Sequence, residues 1–219
     1  MRVCIIPARG GSSRIPRKNI RSFHGRPIIE YSIETAKKVC DRVIVSTEDF
    51  EIAEVARKMG AEVHQRSFEM AEDGVGTQSV ARDVLNHFKV KRTDRVVVLY
   101  PCAPMVESTD LILAFDLSKK GFVVAVGSDP LRDAGAFYVG RCGAFRDGIP
   151  LYEDSTRIFV LPEERVCDIN TEEDWTRCEQ MYAAIHHVHR AEAQGDLENS
   201  AELSSLREYA EQAVAAGLG

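Results

Sequence analysis

Val3-Cys4-Ile5-Ile6-Pro7-Ala8-Arg9-Gly10-Gly11-Ser12-Ser13-Arg14-Ile15-Pro16-Arg17-Lys18-Asn19 is the stretch from which the rest of the chain is read. Val3–Ile6 is a short apolar run that reads as a buried strand, ended by Pro7. A loop rich in glycine and basic residues follows at once. Its two glycines let the backbone approach a ligand closely and present N–H groups to phosphate oxygens. Arg9, Arg14, Arg17 and Lys18 add four cations within ten residues. Arginine suits bidentate phosphate recognition, and lysine acts as a point charge. A solvated basic loop on an acidic protein has the same composition; the position directly after the first strand favours phosphate. The loop is neither a Walker A sequence nor GxGxxG.

Outward from this loop, β-branched runs alternate with amphipathic ones. Pro27 to Val39 reads as a helix, with Pro27 in the first turn and Ile29, Ile33 and Ala36 on one face. Strands are expected at Val43–Ser46, Ala61–His64, Arg95–Tyr100 and Phe122–Val126, with Ala136–Val139 as the last, short one. Asp49 caps a helix from Phe50 to Met59, which Gly60 closes. Further helices run from Thr77 to Phe88, from a cap at Ser108 or Thr109 to Gly121, and from a capping-box-like Thr171-Glu172-Glu173-Asp174 through Trp175, Met181 and Ile185. A polar break at Gln194-Gly195-Asp196 precedes a final helix from Ala201 to Ala215. The alternation predicts a three-layer α/β fold, a mostly parallel sheet with helices on both faces. Ligands then bind beyond the strands' C-terminal ends, after Ile6, Val45, Tyr100 and Val126.

The whole chain has 219 residues and a net charge of −6. That length suits one α/β domain with an appendage. We divide it into a main α/β domain, residues 1–189, and a C-terminal helical appendage, residues 190–219. The negative charge argues against nucleic acid as the main partner. There is no run of ~20 apolar residues for a membrane span and no signal-peptide pattern, so the expected location is the cytoplasm and no membrane partner is expected. Cys4, Cys40, Cys102, Cys142, Cys167 and Cys178 include no CxxC pair and are expected to be reduced and mostly buried.

The first block, Ile5 through Ile20, resembles the signature of acylneuraminate cytidylyltransferases, and within them the pseudaminic acid branch, whose usual form is IIPARGGSKRIPRKNI. The resemblance continues through Phe23-His24-Gly25-Arg26-Pro27-Ile28, Val45-Ser46-Thr47-Glu48-Asp49, Gly60-Ala61-Glu62-Val63, Tyr100-Pro101-Cys102-Ala103-Pro104, Asp133-Ala134-Gly135-Ala136-Phe137-Tyr138 and Arg165 to Trp175. Together these cover most of residues 3 to 185. The resemblance implies a Rossmann-like nucleotide-diphospho-sugar transferase fold. It also implies attack by the anomeric hydroxyl of a nonulosonic acid on the α-phosphate of CTP, with pyrophosphate leaving. It assigns Arg9, Arg14 and Lys18 to catalysis on the triphosphate. Ala8, Gly10, Gly11, Ser12, Ser13, Asn19, Arg66, Pro101 and Cys102 go to the nucleotide, Asp133 and Tyr138 to the sugar, and Asp168 with Asn170 to Mg²⁺.

Three departures from the family pattern stand out. Ser13 replaces a phosphate-facing lysine. Asn170 replaces the second carboxylate of a DID metal motif. Ser128 to Asp133 is a very short bridge where the family carries a projecting segment that completes a homodimer and the sugar site. The chain therefore reads as an active enzyme, or as a nucleotide- or sugar-binding pseudoenzyme of the same family. Several residues carry a plainer alternative: Asp168 as a helix cap, Asn170 as a turn residue, Arg66 and Asp73 as a solvated pair, Cys102 as pocket lining, His24 as a structural residue, and His186, His187 and His189 as surface histidines. The stripe Leu203, Leu206, Ala210, Ala213, Val214 packs on its own domain or replaces the missing dimer segment.

Overall fold

The computed structural model describes residues 1–119, 121–128 and 133–194. The chain opens with β1 (Arg2–Pro7), then a ribbon of β2 (Ser22–Phe23) and β3 (Arg26–Pro27). It continues through α1 (Ile29–Lys37), β4 (Arg42–Thr47), α2 (Phe50–Lys58), β5 (Glu62–Gln65), α3 (Thr77–His87) and β6 (Arg95–Leu99). The second half holds α4 (Ser108–Leu117), β7 (Val123–Val126), β8 (Asp133–Arg141), α5 (Cys142–Asp147), β9 (Arg157–Val160) and α6 (Glu172–Gln194).

Seven strands form one sheet in the order β5-β4-β1-β6-β8-β7-β9. Every pairing is parallel except those of β8, which runs antiparallel to both β6 and β7. Apolar side chains of β1, β4 and β6 alternate between two cores. Cys4, Ile6, Val43, Val45, Val97 and Leu99 pack under α1, α2 and α4. Val3, Ile5, Ile44, Val96 and Val98 pack under α3 and α5. The expected three layers are thus present, the central strands β1, β4, β6 and β7 being buried on both faces as a parallel sheet requires.

Several local expectations change. Pro27 lies in β3, opposite Ser22, and the first helix starts at Ile29. The cap of α4 is Glu107, in a reciprocal box with Asp110, rather than Ser108 or Thr109. The strand read at Ala136–Val139 spans nine residues, because both its neighbours bind it, and β9 adds a further strand at the edge. The Thr171–Asp174 cap forms as expected: Asp174 accepts from the Thr171 N–H at 2.9 Å, and Thr171 Oγ1 accepts from the Asp174 N–H at 3.2 Å. Helix α6 packs Trp175, Cys178 and Met181 against Ile15, Phe23, Ile28 and Tyr31, clamping the segment after β1. The break at Gln194-Gly195-Asp196, the final helix and its apolar stripe fall at or beyond residue 195, outside the described residues, as do 129–132 of the short bridge.

Candidate active site

The C-terminal ends of β1, β4 and β6 open into a cavity of about 210 Å³, walled by Arg9, Ser12, Ser13, Arg14, Lys18, Asn19, Arg66, Pro101, Cys102 and Asp168, with Thr77, Tyr100 and Gly135. Ten of the thirteen positions come from the sequence reading. Three of the four loop cations line it. The fourth, Arg17, turns away: its φ of 57° carries the chain into the left-handed region, and its guanidinium pairs with Asp49 and, at 2.8 Å, with Glu51.

Most of the residues around the mouth of β1 are tied down. Arg9 pairs with Asp73, and the Asn19 amide donates to the Arg9 carbonyl at 2.8 Å. Lys18 Nζ donates to the Ile169 carbonyl at 2.7 Å, bridging the basic loop to the segment before α6. The Gly10 N–H donates to Glu48 at 2.6 Å, and a Cβ on Gly10 would sit 2.6 Å from Asp49 Oδ2, so this close approach requires glycine. Gly10 and Gly11 line a neighbouring recess with Glu48 and Asp49 rather than the cavity, and Ala8 is buried beneath the loop. Arg14 and Ser13 are exposed and have no side-chain partner among the described residues.

Arg66 and Asp73 do not pair with each other. Arg66 is buried and donates to Ser46 Oγ at 3.2 Å and the Ser46 carbonyl at 2.8 Å, whereas Asp73 is exposed on Arg9. Burial pushes the Cys102 thiol up to about 12, and its sulfur donates to Asn19 Oδ1 at 3.2 Å, so Cys102 lines the site as a neutral thiol. His24 Nε2 meets the Glu179 carbonyl at 2.9 Å and its ring packs on Tyr182, a structural role. His186 lies on another cavity with its ring 4.0 Å from that of Tyr182, while the side chains of His187 and His189 are outside the described residues.

Asp168 projects into the cavity; the helix cap is supplied by Thr171 and Asp174 instead. Three ties hold its segment. Arg165 grips the buried Asp110 with two bonds of 2.7 and 3.1 Å, Lys18 holds Ile169, and Cys167 is bonded to Cys178 on α6. The expectation of six reduced cysteines is therefore corrected. The chain doubles back into α6, bringing two Cα atoms 11 positions apart in sequence to 5.9 Å; Cys4, Cys40, Cys102 and Cys142 are free. Asn170 does not line the cavity; its N–H donates to Asp174 at 3.0 Å. Among the described residues no group of three His, Cys, Asp or Glu side chains could hold a metal. A single carboxylate still fits a hard divalent ion whose other positions are filled by phosphate oxygens and water.

Asp133 and Tyr138 do not line the cavity themselves but contact its lining residues Gly135 and Tyr100. Both Tyr138 and Tyr152 donate to Asp133 Oδ2, the latter at 3.3 Å, and the Gly135 N–H donates to Oδ1 at 2.8 Å. Tyr100 joins them, 3.4 Å from the Tyr138 hydroxyl and 3.1 Å from Thr77 Oγ1. Burial, with these neighbours, drives the Tyr138 phenol upward, so it stays protonated as a donor. Gly135, at φ 60°, has no space for a side chain, since a Cβ would lie 2.8 Å from Asp168 Oδ1. Sequence reasoning missed Thr77, Tyr152 and the Arg165–Asp110 anchor, none of which belongs to a local motif.

The cytidylyltransferase family model matches residues 3–138, more than half of the chain. The chain belongs to the cytidylyltransferase family. It is similar to the pseudaminic acid cytidylyltransferase of Campylobacter jejuni, at 32% identity over 225 residues, covering 84% of this chain and 97% of that protein. It also resembles the CMP-N,N'-diacetyllegionaminic acid synthase of Legionella pneumophila, at 34% identity over 53% of each chain. Among solved structures, a CMP:2-keto-3-deoxy-manno-octonic acid synthetase complexed with CTP superimposes with a TM-score of 0.63 at 17% identity, covering 83% of this chain and 98% of that one. A Mycobacterium tuberculosis protein solved with manganese does so at 0.59 and 16% identity, covering 80% and 96%. These last two likenesses carry the fold. The 225 aligned residues of the C. jejuni protein exceed the share of this chain that takes part, so that relative has residues without a counterpart here. No described helix of this cytidylyltransferase is long and apolar enough to cross a membrane.

Proposed function

We propose that this chain transfers a cytidylyl group from CTP to the anomeric hydroxyl of a nonulosonic acid, pseudaminic acid or a close relative, releasing pyrophosphate. The observation that carries the reading is the convergence of Arg9, Arg14, Lys18 and Asp168 on one cavity at the mouth of β1. Arg9 and Lys18 hold the triphosphate, and Arg14 is the free cation that swings onto it. Backbone N–H groups of the 10–13 loop add to this. Asn19 and Arg66 place the nucleoside against Pro101 and Cys102. Asp133 and Tyr138 orient the sugar. The reaction gathers negative charge on phosphoryl oxygens, and fixed cations in a partly closed site stabilise it. A divalent ion, Mg²⁺ in our reading, would be held by Asp168, and would supply further charge neutralisation. The enzyme would work in the cytoplasm, as a homodimer whose contacts differ from those built on a projecting segment.

A second reading, a pseudoenzyme that binds nucleotide without turnover, draws on Ser13, Asn170 and the absence of a second carboxylate beside Asp168. The deciding assay is pyrophosphate release from CTP with a panel of nonulosonic acids, with and without Mg²⁺. Metal-dependent release supports transfer. CTP binding without release across the panel supports the pseudoenzyme, and a Ser13→Lys, Asn170→Asp double variant should then gain activity steeply.

A further inference from the structure

The parallel register of β4 and β5 sets Ser46 directly beside His64, on the sheet face covered by α3. Both are buried, His64 with only 3% of its surface exposed. Ser46 Oγ lies 3.0 Å from His64 Nδ1, and His64 Nε2 faces Asp83 Oδ2 on α3 at 3.6 Å. On the other side Arg66 donates to that same Ser46 Oγ at 3.2 Å and to the Ser46 carbonyl at 2.8 Å. The order Ser-His-Asp looks like a nucleophile's triad, but the serine is sealed and its hydroxyl is shared with an arginine.

The direction of the chain follows from chemistry. A guanidinium can only donate, so Ser46 Oγ accepts from Arg66, and among the described residues the acceptor within reach of the buried Ser46 proton is His64 Nδ1. His64 must then be neutral, with its proton on Nε2 toward Asp83. We propose that Asp83, His64 and Ser46 form a positioning relay that fixes the Arg66 guanidinium in the nucleotide cavity and releases it when His64 is protonated. The proposal rests on the reading of Arg66 as a nucleotide contact.

Protonation would turn Nδ1 into a donor, leaving the buried Ser46 proton without its acceptor and setting a second cation beside Arg66. The groups that face His64 are Asp83 and His87 of α3 and Arg66, with the His87 ring 4.9 Å away. Burial lowers the imidazole's affinity for protons; His87 and Arg66 act in the same sense, and only Asp83 opposes them. Arg66 in turn feels Glu48, Arg9 and Asp83. The neutral state is therefore the resting one at pH 7. The relay fails below the ordinary histidine range of about 6.5.

The test measures the Kd of CTP with Mg²⁺ by calorimetry, and Tm for every variant. Ser46→Ala and His64→Phe should each raise the Kd by roughly tenfold, the cost of loosening a hydrogen bond to a charged group. His64→Asn, whose Oδ1 takes the place of Nδ1, should restore most of the affinity. As pH falls through 6, wild type should lose affinity faster than His64→Asn, because titration of the triphosphate is common to both. Should His64→Phe not fold, Ser46→Ala and the pH comparison decide. Wild-type affinity in Ser46→Ala, or identical pH profiles for wild type and His64→Asn, overturns the relay, provided Arg66→Gln weakens binding. Full affinity in Arg66→Gln would instead remove the nucleotide reading of Arg66 itself.

Discussion

The two walls of the cavity are built on opposite plans. On the β1 side, Arg9, Lys18, Asn19 and Arg66 are each held by another group, and four cations, Arg9, Arg14, Lys18 and Arg66, face the space, so no one of them stands alone. On the β8 side, Asp168 is the one carboxylate lining the cavity among the described residues, and Asp133, in the same strand as the lining residue Gly135, gathers two tyrosine hydroxyls and a backbone N–H. Shared duty makes the first wall tolerant of single losses. The second wall concentrates its chemistry in single atoms, and Tyr152, which donates to Asp133, is 53% exposed. Binding of nucleotide should thus be robust where acceptance of the sugar is fragile.

The largest effect is expected at Asp168. Asp168→Ala removes the carboxylate that, among the described residues, lines the cavity and fits a divalent ion, and kcat/KM should fall by ~10³ or more, the upper range for a lost electrostatic stabiliser. Titrating Mg²⁺ checks it: the variant should no longer saturate at the wild-type concentration. A Lys18→Ala loss larger than the Asp168→Ala loss would invert the comparison.

Asp133→Asn should act next. It keeps the shape but weakens the acceptor shared by Tyr138, Tyr152 and Gly135, so the KM for the sugar should rise by roughly tenfold, with the KM for CTP nearly unchanged. Equal rises in both constants would mean that the two walls are not separable. Burial and the nearby Asp133 push the Tyr152 phenol up to about 12, so it remains a donor across the assay range.

How far the sequence could be read follows the same division. The β1 wall is made of contiguous residues, so its strand, its glycines and its cations appear in one stretch, and β6 is equally plain in Arg95-Val96-Val97-Val98-Leu99. The β8 wall depends on strand neighbours distant in the chain. Asp133 and Gly135 look like turn residues, yet they belong to a strand because β6 and β7 both bind it. Strand β9 lies at the sheet edge with Ile158 and Val160 exposed, which weakens the apolar pattern that marks a buried strand. The pairing of Cys167 with Cys178, the grip of Arg165 on Asp110 and the alignment of His64 with Ser46 depend on how the chain folds back, and no local spacing encodes them.

The smallest effect lies at the outer end of the tolerant wall. Asp49 caps α2 by accepting from the Ile52 N–H at 2.9 Å, and its carboxylate holds Arg17. The pairing with Arg17, aided by the Ile52 and Glu51 N–H groups, lowers its pKa despite partial burial. Asp49→Asn keeps a competent cap and loses only the charge. Because Arg17 is two-fifths exposed, the loss should be about 0.5–1 kcal/mol at pH 7. Asp49→Ala loses the cap as well, about 1 kcal/mol more. A depressed carboxylate stabilises above its unfolded value, about 3.9, and that contribution vanishes as pH falls through the lower folded value. Urea unfolding from pH 7 down to 3 should therefore show a steady gap between wild type and Asp49→Asn that closes only at the acidic end. No gap at pH 7 would mean that Arg17 is held by Glu51 rather than Asp49, and that this corner of the loop is tied to α2 by its exposed residue.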